Sequence, residues 1–218
     1  MMNNPLRDID LYGLTSEEHS LGRTNLEVVR TMLDAGIRLI QYREKDKPGR
    51  TKLEECTAIR ELTRQTGALF LVNDDVAVAQ AVGADGVHVG QDDLPVPVVR
   101  RLLGPGKIIG LSTHCPDEAR AAVQAGADYI GVGPIFATKT KKDVCAPVGL
   151  EYLEWVTANL SIPFVAIGGI KEHNIGEVVQ RGASCVAMIT EIVAKPDIPA
   201  QIQALRKAMQ QKIKETQS

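Results

Sequence analysis

Aromatic residues make up only 4% of this chain of 218 residues, and its 25 Lys and Arg are slightly outnumbered by 27 Asp and Glu. A protein that binds nucleic acid through its phosphates normally carries a basic excess and stacking rings, so that class is disfavoured. Polybasic attachment to a membrane is disfavoured for the same reason. No apolar run approaches the ~20 residues needed to span a bilayer. The opening MMNNPLRDID lacks the apolar core of a signal peptide. Cys56, Cys115, Cys145 and Cys185 are far apart, and no CxxC pair occurs. That spacing suggests neither a disulfide framework nor a zinc site, so reduced thiols in a cytoplasmic protein are expected.

What the chain does have is a repeated step. Ala35-Gly36-Ile37, Thr66-Gly67-Ala68, Val82-Gly83-Ala84, Ala125-Gly126-Ala127 and Arg181-Gly182-Ala183 each place a glycine between a helix-like segment and an apolar run. Glycine ends a helix readily in the left-handed conformation, where a Cβ would clash. Each copy therefore reads as helix, stop, strand. The runs IRLIQYR, ALFLVN, DGVHVG, DYIGVG and SCVAMI come after these stops, and DLYGLT, KIIGLS and PFVAIGG complete a set of eight strands. Leu26, Val29 and Leu33, then Ile175, Val178 and Val179, then Ile202, Leu205 and Met209 fall at helical spacing. Strands this continuously apolar are covered on both faces. The expected fold is α/β, a single (β/α)8 TIM barrel filling residues 1–218 as one domain. An open doubly wound sheet is the alternative, but no GxGxxG comes after the first strand.

In such barrels the loops after the strands form the active face. Strand 2 runs out into Gln41-Tyr42-Arg43-Glu44-Lys45, and alternation places Gln41, Arg43 and Lys45 on the side of Leu39, facing the mouth. An anionic phosphate suits that trio, with Arg as a forked donor and Lys as a point charge. A surface salt-bridge run with Glu44 and Asp46 is the alternative, and local sequence does not separate the two. Strand 3 ends in Asn73-Asp74-Asp75, and strand 4 leads through His88 to Asp92-Asp93. Carboxylates facing each other from neighbouring loops call for a cation, and Mg2+ takes one or two of them together with substrate phosphates. One of Asp74 and Asp75 is expected to cap the next helix and the other to serve the site. His88, inside a strand, is read as a packed, hydrogen-bonded residue. Ser112 ends strand 5. The long loop 133–143 carries hydroxyls and lysines, which suits either an anion wrap or a solvated loop. Gly168-Gly169 and Ile189-Thr190 come after strands 7 and 8, where many barrels hold a phosphate.

Taken together, QYREK, VNDD, GVHVGQDD, LSTH, GPIFATKTK, AIGGI and AMIT resemble thiamine phosphate synthase (thiamine-phosphate pyrophosphorylase), in the family's order from the first strand to residue 190. The resemblance implies transfer of the hydroxymethylpyrimidine group from its diphosphate to thiazole phosphate, giving thiamine phosphate and diphosphate by a Mg2+-assisted dissociative substitution. It implies that Gln41, Arg43, Lys45, Asn73, Ser112 and Lys141 contact the pyrimidine diphosphate, with Arg43, Lys45, Ser112 and Lys141 in catalysis. It assigns Asp74 and Asp93 to the metal, with Asp92 a neighbour. Thr138, Lys139, Thr140, Gly169, Ile189 and Thr190 would take the thiazole phosphate. Partners would be these small molecules, with no nucleic acid or membrane, and a homo-oligomer is left open. A thiazole tautomerase-like regulator without pyrimidine transfer is the rival within the same fold. The joint presence of Gln41, Arg43, Lys45, Asp74 and Asp93 argues for transfer. A phosphosugar isomerase barrel would share the second phosphate site but would not need the metal side.

Overall fold

The computed structural model describes residues 4–138, 140 and 145–216, with side chains up to residue 211. Eight short strands succeed one another around a closed, all-parallel barrel: β1 (Leu11–Leu14), β2 (Leu39–Tyr42), β3 (Leu69–Asn73), β4 (Gly86–Val89), β5 (Ile108–Thr113), β6 (Tyr129–Val132), β7 (Phe164–Ile167) and β8 (Val186–Met188). Each pairs with its sequence neighbour, and β8 returns to β1 through Leu11 opposite Val186 and Gly13 opposite Met188. The ring of helices comprises α1 (Asn25–Asp34), α2 (Gly49–Thr66), α3 (Val76–Val82), α4 (Val96–Leu103), α5 (Pro116–Gln124), α6 (Gly149–Asn159), α7 (Ile175–Gln180), α8 (Thr190–Val193) and α9 (Ile198–Thr216). All eight sequence-derived strands are present, most of them shortened at their ends. The five glycines of the repeated step all take positive φ, between 63° and 95°, the left-handed stop expected of them.

The core has two layers, because strands in a closed barrel bury both faces. Outward residues such as Val72, Val87 and Ile130 meet helix residues such as Val29, Ile59, Ile175 and Leu205, all buried. Inward positions are filled near the base by apolar groups such as Leu39. Toward the mouth they become Tyr12, Gln41, Asn73, His88 and Tyr129, which line one small internal cavity.

Three aspartates, each standing just before a strand, tie the base together. Asp85 accepts the Phe70 N–H at 2.8 Å and a forked pair from Arg60 at 2.8 and 3.0 Å. Asp128 accepts the Ile109 N–H at 2.8 Å and the Arg100 guanidinium at 2.5 Å. Asp10 accepts the Leu11 N–H at 2.8 Å and pairs with Arg206 of α9 at 2.7 Å, and Arg206 also donates to the Ala35 and Gly36 carbonyls. Each carboxylate satisfies a backbone N–H at or near a strand's start, while its charge is met by an arginine from the helix layer. Asp85→Ala is expected to cost about 2 kcal/mol, because it orphans the Phe70 N–H and a partly buried guanidinium together. Urea unfolding measures this, and a loss below about 0.5 kcal/mol would show that the base tie contributes nothing.

Candidate active site at the barrel mouth

The backbone of β2 ends at Tyr42, so strand alternation governs Gln41 but not the residues beyond the strand. Gln41 points inward, is 2% exposed, and donates from Nε2 to the Tyr12 hydroxyl at 2.6 Å. Arg43 is half-buried, its N–H held by the buried Thr15 hydroxyl at 2.8 Å. Lys45 does not face inward as alternation predicts. It stands on the rim with its side chain 58% exposed, 3.5 Å from Asp74. The physical reason is that the period of two lapses once the ladder ends. Glu44 is part of a separate rim network, accepting the Glu17 N–H at 2.9 Å.

The two acidic loops meet. Asp74 holds a φ of +60°, a left-handed backbone that L-residues rarely adopt and that Asp tolerates better than most. Its N–H donates to the His88 carbonyl at 2.9 Å, which docks the end of β3 onto β4. Asp75 takes the capping role, its side chain accepting the Val78 N–H at 3.0 Å. Asp93 is held by the Gly90 N–H at 2.7 Å. The Asp74 carboxyl is pushed up to about 6 by burial, by its hydrogen bond to Asp93 and by the charge of Asp93, with Lys45 opposing. Burial lowers the Arg43 pKa while Asp74 works the other way. This is a pair of carboxyls short of positive charge, with two cations alongside. Among the described residues no group of three or more His, Cys, Asp or Glu gathers as a metal cage. A two-carboxylate site suits Mg2+, which keeps waters or phosphate oxygens for its remaining positions.

Opposite this side lies a pocket of about 370 Å3 lined in part by Ser112, Thr138, Thr140, Gly169, Ile189 and Thr190. Three hydroxyls converge in it: Thr138 donates to Thr140 at 3.2 Å, and Thr140 lies 3.4 Å from Thr190. Gly169 has φ +66°, and a Cβ there would come within 2.6 Å of the Phe136 carbonyl oxygen. The glycine pair therefore has a packing reason as well as a place in the pocket, since the loop after β6 lies directly on it. Lys139 and Lys141 lie outside the described residues. Asp92 has no place in these contacts.

Lys45, Asn73 and Asp74 line an open depression that runs outward over α3 to Leu94 and Leu102. The two halves of the mouth connect through the internal cavity, which shares Asn73 with this depression and Gly131, Ile167 and Ala187 with the larger pocket. Two features are not marked by the motifs along the chain. Tyr12 and Tyr129 face the lumen with buried hydroxyls, and an inward tyrosine in an apolar strand does imply a partner for its O–H. Glu191, 6% exposed, ties Lys171 at 3.1 Å and Lys195 at 3.4 Å beside the pocket; nothing in its local sequence marks it.

The fold and mouth define a class: a (β/α)8 barrel with a cation-seeking carboxylate pair on one side of its opening and a hydroxyl- and glycine-lined pocket on the other. A model of the family described as thiamine monophosphate synthase matches residues 11–192. The chain is 63% identical over 207 residues to a thiamine-phosphate synthase of Pelotomaculum thermopropionicum, covering 95% of each protein. It is 57% identical to one of Lawsonia intracellularis, covering 93% of each. Its structure is similar to that of a thiamine phosphate pyrophosphorylase from Pyrococcus furiosus, with a TM-score of 0.85, 36% identity and 94% and 97% of the two chains covered. The chain belongs to the thiamine monophosphate synthase family.

A carboxyl whose native pKa lies above its ordinary 3.8 binds its proton more tightly folded than unfolded. The contribution of Asp74 to the stability of the ligand-free protein therefore falls as pH rises from about 4 to about 6. Asp74→Asn is expected to remove that contribution from the pH dependence and to raise the urea midpoint at pH 7. An unchanged slope would contradict the assignment of the shift to this pair.

Proposed function

We propose that this chain is a thiamine-phosphate synthase, joining hydroxymethylpyrimidine diphosphate to thiazole phosphate and releasing diphosphate. The observation that carries the reading is the Asp74–Asp93 pair, two neighbouring carboxyls flanked by Lys45 and Arg43, across the mouth from the Thr138, Thr140 and Thr190 pocket. That pairing supports two phosphorylated substrates gripped side by side, one with a metal and one without. Asp74 and Asp93 are the residues that would hold Mg2+. When bound, the ion would neutralise charge growing on the departing diphosphate.

The chain's own residues supply the remainder. Arg43 and Lys45 face the diphosphate as fixed cations, so that negative charge developing there meets donors already in place. Gln41 and Asn73, at the inner cavity, orient the pyrimidine, and Ser112 reaches the same substrate from β5. The hydroxyls of Thr138, Thr140 and Thr190, with Gly169 and Ile189, seat the thiazole phosphate. The bond from the methylene carbon to the diphosphate oxygen breaks first, with the electron pair leaving on oxygen and the cation delocalised into the aminopyrimidine. The thiazole nitrogen lone pair then forms the new carbon–nitrogen bond. That nitrogen carries no proton, so the site needs no general base. Proximity and electrostatic stabilisation are the main contributions. The free thiols of Cys56, Cys115, Cys145 and Cys185 suit a reducing, cytoplasmic setting. No helix among the described residues is long and apolar enough to cross a membrane.

The purified chain with both substrates and Mg2+ is expected to form thiamine phosphate and diphosphate in equal amounts, read by mass spectrometry. Chelation of the metal should abolish the product, and its persistence would refute the role of the carboxylate pair. Asp93→Ala is expected to lower kcat by at least about a hundredfold with an unchanged circular dichroism spectrum. Arg43→Ala should weaken use of the pyrimidine diphosphate well beyond any effect on thiazole phosphate, and matched losses would contradict the division of the mouth.

A further inference from the structure

Beneath the mouth, five polar side chains from five strands form one continuous hydrogen-bonded path across the lumen. Gln41 Nε2 of β2 donates to the Tyr12 hydroxyl of β1 at 2.6 Å. Tyr12 lies 3.3 Å from the Tyr129 hydroxyl of β6. Tyr129 lies 2.8 Å from His88 Nδ1 of β4, and His88 Nε2 lies 2.9 Å from Ser112 Oγ of β5. The two ends, Gln41 and Ser112, are the groups assigned to the pyrimidine diphosphate. The three in the middle, Tyr12, Tyr129 and His88, have no part in that chemistry.

The path is built into the barrel. A Cβ on Gly110 would sit 2.2 Å from the Tyr129 ring and 2.5 Å from His88 Nδ1, and one on Gly131 would press the His88 ring at 3.2 Å. Both glycines clear room for the Tyr129–His88 pair. Burial raises the pKa of Tyr12 and Tyr129 well above the ordinary phenol range, so each phenol keeps its one proton.

With the Gln41 amide nitrogen on the Tyr12 oxygen, counting donors sets the order of those protons. The Gln41 amide nitrogen supplies a hydrogen to Tyr12, so Tyr12 passes its own to Tyr129, and Tyr129 passes its own to His88 Nδ1. His88 then carries its hydrogen on Nε2 and gives it to Ser112 Oγ, which leaves the serine hydrogen free to point into the mouth. The reverse order would aim two donors at the Tyr12 oxygen, leave its hydrogen without an acceptor in the path, and spend the serine hydrogen on His88.

We propose that Tyr12, Tyr129 and His88 are positioning residues that set this order, making Ser112 a donor to a diphosphate oxygen and leaving the Gln41 carbonyl oxygen as acceptor for the exocyclic amino group of the pyrimidine. This rests on the transferase reading of the site. It explains how two chemically opposite demands, a donor for an anion and an acceptor for an amine, are met at once by one path of hydrogen bonds. A lumen with the same shape but the opposite proton order would offer each substrate group the wrong partner.

Two measurements test the inference. Nitrogen NMR of the ligand-free full chain, with the His88 signals assigned by their loss in His88→Asn, should show a protonated Nε2 and a bare Nδ1. A His88 protonated on Nδ1 overturns the proposed order. In steady-state kinetics Tyr129→Phe, which removes one oxygen from the path, should lower kcat/KM for the pyrimidine diphosphate about tenfold and leave KM for thiazole phosphate unchanged. In a Ser112→Ala background the same change should add no further loss. Independent, additive losses, or equal losses for both substrates, would mean that Tyr129 serves only packing. If the unaltered protein forms no thiamine phosphate, the transferase reading falls instead, and the tautomer still decides the proton order.

Discussion

Closure of the sheet governs everything at the mouth. The three-residue strand Val186–Met188 pairs with Leu11, Tyr12 and Gly13, and that pairing turns an open row of strands into a ring without edges. A ring forces half of every strand's side chains into a lumen that must be filled and, where polar, satisfied internally. The short contact is reinforced from outside by Arg206, which ties α9 to Asp10 and to the Ala35 and Gly36 carbonyls. Without closure, Tyr12 and Tyr129, which are 117 positions apart in the chain, would not share a hydrogen bond.

The mouth inherits a division of labour from this ring. One arc, from β2 to β4, brings cations and carboxylates together, and the raised Asp74 carboxyl is the electrostatic sign that the arrangement is short of positive charge. The facing arc, from β5 to β8, carries hydroxyls and glycines but holds its own carboxylate, Glu191, already paired with Lys171 and Lys195. An anion meeting the second arc finds hydroxyl donors and glycine backbone; one meeting the first finds Lys45 and Arg43 beside a pair of carboxyls. On the first arc Asp74 adopts a left-handed conformation, and Asp75 beside it caps the next helix.

Reading along the chain went furthest where a local rule applied. The glycine stops and apolar runs located all eight strands, because a left-handed stop before a buried parallel strand leaves a strong local pattern. That one of Asp74 and Asp75 would cap the next helix was legible for a similar reason, and Asp75 is the one that does. Lys45 shows where such reading lapses. Alternation carries information only while the strand lasts, and β2 ends at Tyr42, so the lysine turned to the rim and Asp74 rather than into the lumen. The grouping of the motifs pointed to a family where periodicity alone pointed only to a barrel, and the chain's similarity to thiamine-phosphate synthases places it in that family.

By itself the sequence determined the order of strands and helices, their stops and caps, and the set of polar residues standing at the strand ends. These are consequences of neighbours within a few positions, where sterics and hydrogen bonding act locally. Only the tertiary structure decided which of those residues meet: Asp74 with Asp93, Thr140 with Thr190, and Gln41 with Ser112 through two tyrosines and a histidine. Those meetings depend on the registers of all eight strands at once, and no local stretch of chain encodes a distance across the barrel.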